Sequence, residues 1–168
     1  MRVLFIRHAE AADKAAHKGN DLLRPLTDAG RETARAMFRA LRAVTPRIDL
    51  ILTSEAVRAR ETAEILRSVF RGAGLKESPL LNPGADFQCF RRLLAAIPDS
   101  AGCVAIVGHE PDFSGILADV IADGTLRIVL KKASVADVDV NQLGRGELRL
   151  LIQPSGIKGL WETRCEPR

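Results

Sequence analysis

The stretch Val3-Leu4-Phe5-Ile6-Arg7-His8-Ala9-Glu10 decides the fold. Four apolar residues run straight into a charged pair, with no polar turn between. An uninterrupted apolar run is what a strand buried on both faces of a parallel sheet looks like. In open α/β sheets the ligand crevice lies just beyond the carboxyl ends of the strands. Arg7 and His8 therefore stand where a phosphate or carboxylate binds. The plainer alternative is that the pair merely marks the end of the strand, and the other strands decide between the two.

Two more apolar runs end the same way. Ile48 to Thr53 delivers Ser54 and Glu55, and Cys103 to Val107, the most apolar run of the chain, delivers Gly108-His109-Glu110-Pro111. Helical spacing fills the intervals. Thr27 is a good N-cap with Asp28 in the first turn, and Ala34, Met37, Leu41 and Val44 recur at three or four residues before Pro46. A second helix is predicted from Ala56 to Phe70, with Thr62, Ile65, Leu66, Val69 and Phe70 on one face, stopped by Gly72 and Gly74. Arg58 and Arg60 in its first turn oppose the helix dipole. An anion shared between Arg58 and the backbone amides would give that placement a reason.

Lys76 to Leu81 reads as a short strand and Asn82-Pro83-Gly84 as a turn. Phe87, Phe90, Leu94 and Ile97 mark a helix closed by Pro98, their apolar faces reading as core. A further helix follows Pro111, which fits the first helical position, with Phe113, Ile116, Leu117, Val120 and Ile121 as its apolar set. The tail changes period. Val135-Ala136-Asp137-Val138-Asp139-Val140 alternates, and Leu148-Arg149-Leu150-Leu151-Ile152 follows Gly144-Arg145-Gly146, predicting an antiparallel hairpin with one wetter face. The polar loop from Ala11 to Arg24 is long for a connection, and such loops tend to be functional.

The chain has 168 residues, 46% apolar and 27% charged, which suits one soluble globular domain over residues 1–168. The net charge of +4 suits an acidic substrate. Scattered Lys and Arg, no Tyr and one Trp do not indicate a nucleic-acid surface. Cys89, Cys103 and Cys165 are odd in number and lack metal-like spacing. Cys103 reads as core and the others as free thiols, which points to a reducing compartment, the cytoplasm. The N-terminal apolar run is too short for a signal peptide or a membrane span.

Strands alternating with helices imply right-handed crossovers, which bring these strand ends to one edge of one sheet. His8, Ser54 with Arg58, and His109 would then share a crevice with Arg7. Two guanidiniums match the oxygens of one phosphoryl group. A neutral imidazole is a competent nucleophile when one ring nitrogen is held and the other attacks. Metal binding is the competing use of histidine, but neither His8 nor His109 has a partner at zinc-site spacing. His17, in the polar loop, reads as solvated.

Arg7-His8-Ala9-Glu10, Arg24-Pro25-Leu26-Thr27 with Gly30, Ser54 through Thr62, and Gly108-His109-Glu110-Pro111 resemble, in order, the motifs of the histidine phosphatase superfamily. The short length and late hairpin resemble its small SixA-like phosphohistidine phosphatase subgroup. The resemblance implies a phosphoglycerate mutase-like α/β fold, three layers α/β/α around a mostly parallel sheet with a C-terminal antiparallel hairpin. It implies His8 as a nucleophile that is transiently phosphorylated, Arg7 and Arg58 as phosphate ligands, and His109 as a further phosphate contact. It implies no metal and no organic cofactor. Two positions depart from the family pattern: Ala9 where Gly is common, tolerated unless φ is positive, and Glu55 where Pro is frequent.

The proton donor to a leaving group is not assigned by the motifs. Asp86 and Glu110 are candidates by position, as is Glu10, although Asp86 also suits a helix cap. A phosphohistidine substrate needs the donor less, because its imidazole protonates near neutral pH, with a reference pKa of about 6.5, whereas an alkoxide leaving group depends on it. Three functions are therefore expected to compete. The first is removal of phosphate from phosphohistidine in a protein partner, such as a histidine-containing phosphotransfer domain, favoured by the short connection from Leu75 to Asp86 that leaves little chain for a lid. The second is hydrolysis of a small phosphomonoester. The third, of another class, is non-catalytic binding of phosphorylated partners. Neither a nucleic acid nor a membrane is an expected partner.

Overall fold

The computed structural model describes residues 1–157; Cys165 lies outside them. Strand β1 (Arg2–Arg7) is the predicted opening strand, with Val3 to Ile6 fully buried. Helix α1 (Asp28–Val44) starts on Thr27, whose Oγ1 accepts from the Gly30 amide at 3.0 Å. It is followed by β2 (Leu50–Thr53), α2 (Val57–Val69) and β3 (Gly74–Glu77). Then come α3 (Phe87–Ala95), β4 (Cys103–Gly108), α4 (Asp112–Ala122) and the hairpin β5 (Val135–Val140) and β6 (Gly146–Ile152).

The six strands form one sheet in the order β3-β2-β4-β1-β5-β6. β1 through β4 run parallel, while β5 lies antiparallel to β1 and β6 antiparallel to β5. Helices cover both faces. Met37, Phe38 and Leu41 of α1 and Leu66 of α2 pack with Leu4, Ile6 and Ile51 on one side. Phe90 of α3 and Phe113 and Leu117 of α4 pack with Val3, Phe5 and Ile106 on the other. This is the three-layer α/β/α arrangement. Register then fixes the site: Arg7 stands opposite Gly108 and Thr53 opposite Val107, so His8, His109 and Ser54 emerge side by side from three adjacent strands.

Several local expectations are corrected. The strand expected at Lys76 to Leu81 is shifted to Gly74–Glu77, and Pro79–Leu81 forms a 3-10 turn, because proline has no amide for a ladder. Gly74 thus opens a strand, while α2 stops at Val69 with Phe70 as its C-cap and Gly72, at φ +102°, lies in the turn that follows. The second strand begins at Leu50 rather than Ile48, which is buried ahead of it. Val44 is exposed, and Phe38 takes the buried place on α1. Pro111 caps α4 instead of occupying its first turn. The wetter face of the hairpin is not found on β5: Asp137 is buried and paired with Arg2. Residues on both faces of β5 are buried, so alternation there does not mark solvent. The loop from Ala11 to Arg24 also has structure, a bridge between Ala11 and Leu26 and a 3-10 turn at Asp21–Leu23.

Candidate active site

His8 follows β1 directly and is 8% exposed. Its Nδ1 lies 2.7 Å from its neighbour's carbonyl, Ala9 O. A carbonyl only accepts, so Nδ1 carries the proton and Nε2 the lone pair. Burial, with the charges of Arg58, Arg7 and Arg24 and against the pull of the Ala9 carbonyl, pushes the imidazole down to about 4. His8 is therefore neutral at pH 7. Ala9 has no positive φ and is fully buried, so its methyl group fits where glycine is common. Its amide donates to Thr62 Oγ1 at 3.1 Å, and that hydroxyl donates to the Arg58 carbonyl at 2.7 Å. Thr62 thereby ties the end of β1 to the first turn of α2.

His109 follows β4, is 3% exposed, and its ring centroid lies 5.2 Å from that of His8. Its Nε2 is 2.8 Å from Ser54 Oγ. Ser54 donates onward to Asn82 Oδ1 at 2.9 Å, so its oxygen accepts from His109. His109 Nδ1 is buried with no hydrogen-bond partner among the described residues. Burial first, then the charges of His8 and Arg58, pushes this ring down to about 3. Gly108 before it is required by packing, because a Cβ there would run into the Phe113 ring.

Two guanidiniums flank the histidines. Arg7 Nη1 donates to the Leu130 carbonyl at 2.6 Å, and its Nε is buried without a partner. Arg58, 3% exposed, donates from Nη1 to the Asp21 carbonyl at 2.7 Å, and its Nη2 lies 3.0 Å from Asp21 Oδ2. Its Nε is also buried and unpartnered. Burial lowers both arginines from their ordinary values, and both remain cationic. No side chain caps α2, whose first turn holds Arg58. Arg60 instead pairs with Glu77 at the surface.

The carboxyl candidates separate. Asp86 is exposed and caps α3, accepting from the Cys89 amide at 2.8 Å; that backbone hydrogen bond holds it below the usual carboxylate range. Glu110 is half-buried, and burial raises its carboxyl above the ordinary value against the Ser114 hydrogen bond and the Arg7 charge. Ser114 Oγ donates to Glu110 Oε2 at 2.5 Å, while Oε1 is buried and unpartnered. Glu10 lies 3.0 Å from Lys132 Nζ. Glu55 accepts from Asn82 Nδ2 at 2.7 Å. Among the described residues no group of three or more His, Cys, Asp or Glu is placed to hold a metal ion.

Sequence reasoning missed Asp21, and named Arg24 in a motif without giving it a role. Arg24 Nε donates to Asp21 Oδ1 at 3.0 Å, and the Arg24 charge acts on both histidines and on Arg58. Their signal is an oppositely charged pair three residues apart, inside a loop already notable for its length, just ahead of Pro25.

An α/β sheet that gathers two buried histidines and two arginines at one strand edge defines a protein that handles phosphoryl groups. The chain belongs to the histidine phosphatase superfamily and is a phosphatase hydrolase: residues 3–82 match the model of the histidine phosphatase superfamily (branch 1). It is 35% identical over 140 residues to an uncharacterized protein of Picosynechococcus sp., covering 80% of this chain and 82% of that protein. It is 27% identical over 160 residues to the phosphohistidine phosphatase SixA of Escherichia coli K12, covering 94% and 97%. Among solved structures, the protein histidine phosphatase SixA complexed with tungstate superposes with a TM-score of 0.83 at 24% identity, over 94% of this chain and 99% of that one. A putative alpha-ribazole-5'-P phosphatase of Escherichia coli K-12 superposes at 0.70 with 22% identity, over 92% and 97%. The mostly parallel sheet with its antiparallel C-terminal hairpin is the phosphoglycerate mutase-like fold.

Proposed function

We propose that this chain removes phosphate from phosphohistidine in a protein partner, through a phosphorylated His8. The observation that carries the reading is the 2.7 Å contact of His8 Nδ1 with the Ala9 carbonyl, which leaves Nε2 with a lone pair on a neutral ring at pH 7. In the first step Nε2 attacks phosphorus, the bond from phosphorus to the substrate imidazole breaks, and that imidazole leaves neutral after taking up a proton. In the second, water attacks the phosphohistidine, the bond from phosphorus to Nε2 breaks, and orthophosphate departs. Arg7 and Arg58 hold the phosphoryl oxygens, and His109 offers Nδ1 toward them once it has taken a proton from water, which the charge of the arriving dianion favours. These are tasks of positioning and charge stabilisation.

Of the carboxyl candidates, Glu110 is the one suited to donate a proton, which an alkoxide leaving group needs more than an imidazole does. It is adjacent in sequence to His109 and its carboxyl is shifted toward the protonated form by burial, whereas Asp86 is committed to its helix cap. The protein substrate is supported by the SixA likeness and by the short run of residues 78–86 between β3 and α3. Beside Arg7 a cavity of about 400 Å³ carries Lys131, with Lys132 paired to Glu10, adding one net positive charge next to the phosphate clamp. The same reading takes the chain as one histidine phosphatase domain acting in the cytoplasm, in keeping with free thiols at Cys89 and Cys103.

A second reading, a small-molecule phosphomonoesterase, is favoured by the structural likeness to the alpha-ribazole-5'-P phosphatase and by Glu110 as a donor for an alkoxide. A substrate panel decides. It holds a phosphorylated histidine-containing phosphotransfer domain beside sugar, nucleotide and cofactor phosphates, with His8→Ala as control. Efficient turnover of the phosphoprotein supports the first reading; a single efficient small ester replaces it with the second. Binding of the phosphoprotein without turnover would leave only a binding module.

A further inference from the structure

Both terminal nitrogens of Arg58 are engaged by one residue of the long polar loop. Nη1 binds the Asp21 carbonyl at 2.7 Å and Nη2 lies 3.0 Å from Asp21 Oδ2. The other carboxylate oxygen, Oδ1, accepts from Arg24 Nε at 3.0 Å, and Arg24 Nη1 donates to the Ala12 carbonyl at 2.8 Å. The turn bearing Asp21 is itself fixed: Asn20 Oδ1 accepts from the Leu22 amide at 3.0 Å, and Leu22 packs against the core. Arg58 is thus a buried cation held at one end, with Nε left unpartnered.

We infer that Asp21 is a positioning residue of the phosphatase site, its carboxylate bridging Arg24 and Arg58 so that the Arg58 guanidinium is pre-oriented for the phosphoryl group. The inference rests on the reading of Arg58 as a phosphate ligand. A flexible arginine loses rotamer freedom when it binds, and pre-organising it removes that cost before the transition state is reached. Asp21 also places one negative charge between Arg24 and Arg58, so it tempers ground-state attraction for phosphate. Burial works against its ionisation, yet the Arg24 hydrogen bond and the charges of Arg58 and Arg24 keep the carboxyl below its ordinary value.

The two effects predict a split that a purely structural role does not give. Asp21→Ala and Asp21→Asn should lower kcat on phosphorylated protein and on p-nitrophenyl phosphate by about tenfold or more, while KM stays level or falls, since a repelling charge has gone. The companion measurement does not depend on turnover: 15N NMR of the Arg58 guanidinium, with and without orthovanadate. The wild type should give separate, slowly rotating Nη signals that collapse in the variants. A kcat within twofold of wild type, a raised KM with kcat kept, a variant faster than wild type, or Nη signals unchanged by the substitution would each overturn the inference. A wild type that turns over nothing in the panel overturns the functional reading instead, and the NMR comparison then decides the positioning role alone.

Discussion

The nucleophile proposed at His8 needs little chain to set it. One carbonyl, a single residue on, fixes the tautomer by accepting from Nδ1, and burial keeps the ring unprotonated. Glu110 is tuned the other way by the same force, since burial disfavours the charged form of either group: it lowers an imidazole and raises a carboxyl. That contrast gives a prediction at this scale. Glu110→Gln should lower kcat for alkyl phosphomonoesters by about 10²-fold, and should affect phosphohistidine far less, because that leaving group takes its proton on the ring. Steady-state rates on the two substrate classes check it; equal losses on both would remove Glu110 as the donor.

The elements matter by their ends. β1, β2 and β4 stop in register, and the helices after β2 and β4 start within a few residues of the strand ends. Gly30, in the first turn of α1, lies against the Glu10 backbone so closely that a Cβ would collide with that carbonyl. Backbone cannot yield as a flexible side chain can, so Gly30→Ala should cost about 1–3 kcal/mol, read as a lowered urea midpoint; an unchanged midpoint would mean the approach is not needed. Much of this level was legible in the sequence. Three apolar runs ending in His8, Ser54 and His109 named the shared edge, and Thr27 named the start of α1. β3 was displaced in the reading because it is a mostly exposed strand, without an apolar run to mark it. Asp137 was misjudged because alternation reports a wet face only on a strand with a solvent side. Asp21, and a role for Arg24, are not legible in the sequence because their turn takes its meaning from Arg58, which is distant in sequence and brought close only by the fold.

For the molecule as a whole, the buried histidines couple the site to stability. Both are bases whose folded values, about 4 for His8 and about 3 for His109, lie below the ordinary 6.5. The unfolded chain therefore binds protons that the folded chain refuses, so stability is full above pH 6.5 and falls as pH drops toward 4. Each ring should contribute a loss of roughly 2 kcal/mol between pH 7 and pH 5. Urea unfolding at the two pH values should show a steeper loss in the wild type than in His8→Gln/His109→Gln; equal slopes would contradict the burial argument. The proposed reaction stands on His8 carrying the phosphoryl group. The most direct test is rapid quenching of the protein with a 32P-labelled phosphohistidine phosphotransfer domain, followed by peptide mapping. The label should appear transiently, alkali-stable and acid-labile, on the peptide containing His8, and be absent from His8→Ala. Turnover that persists in His8→Ala, or label on any other residue, would contradict the account.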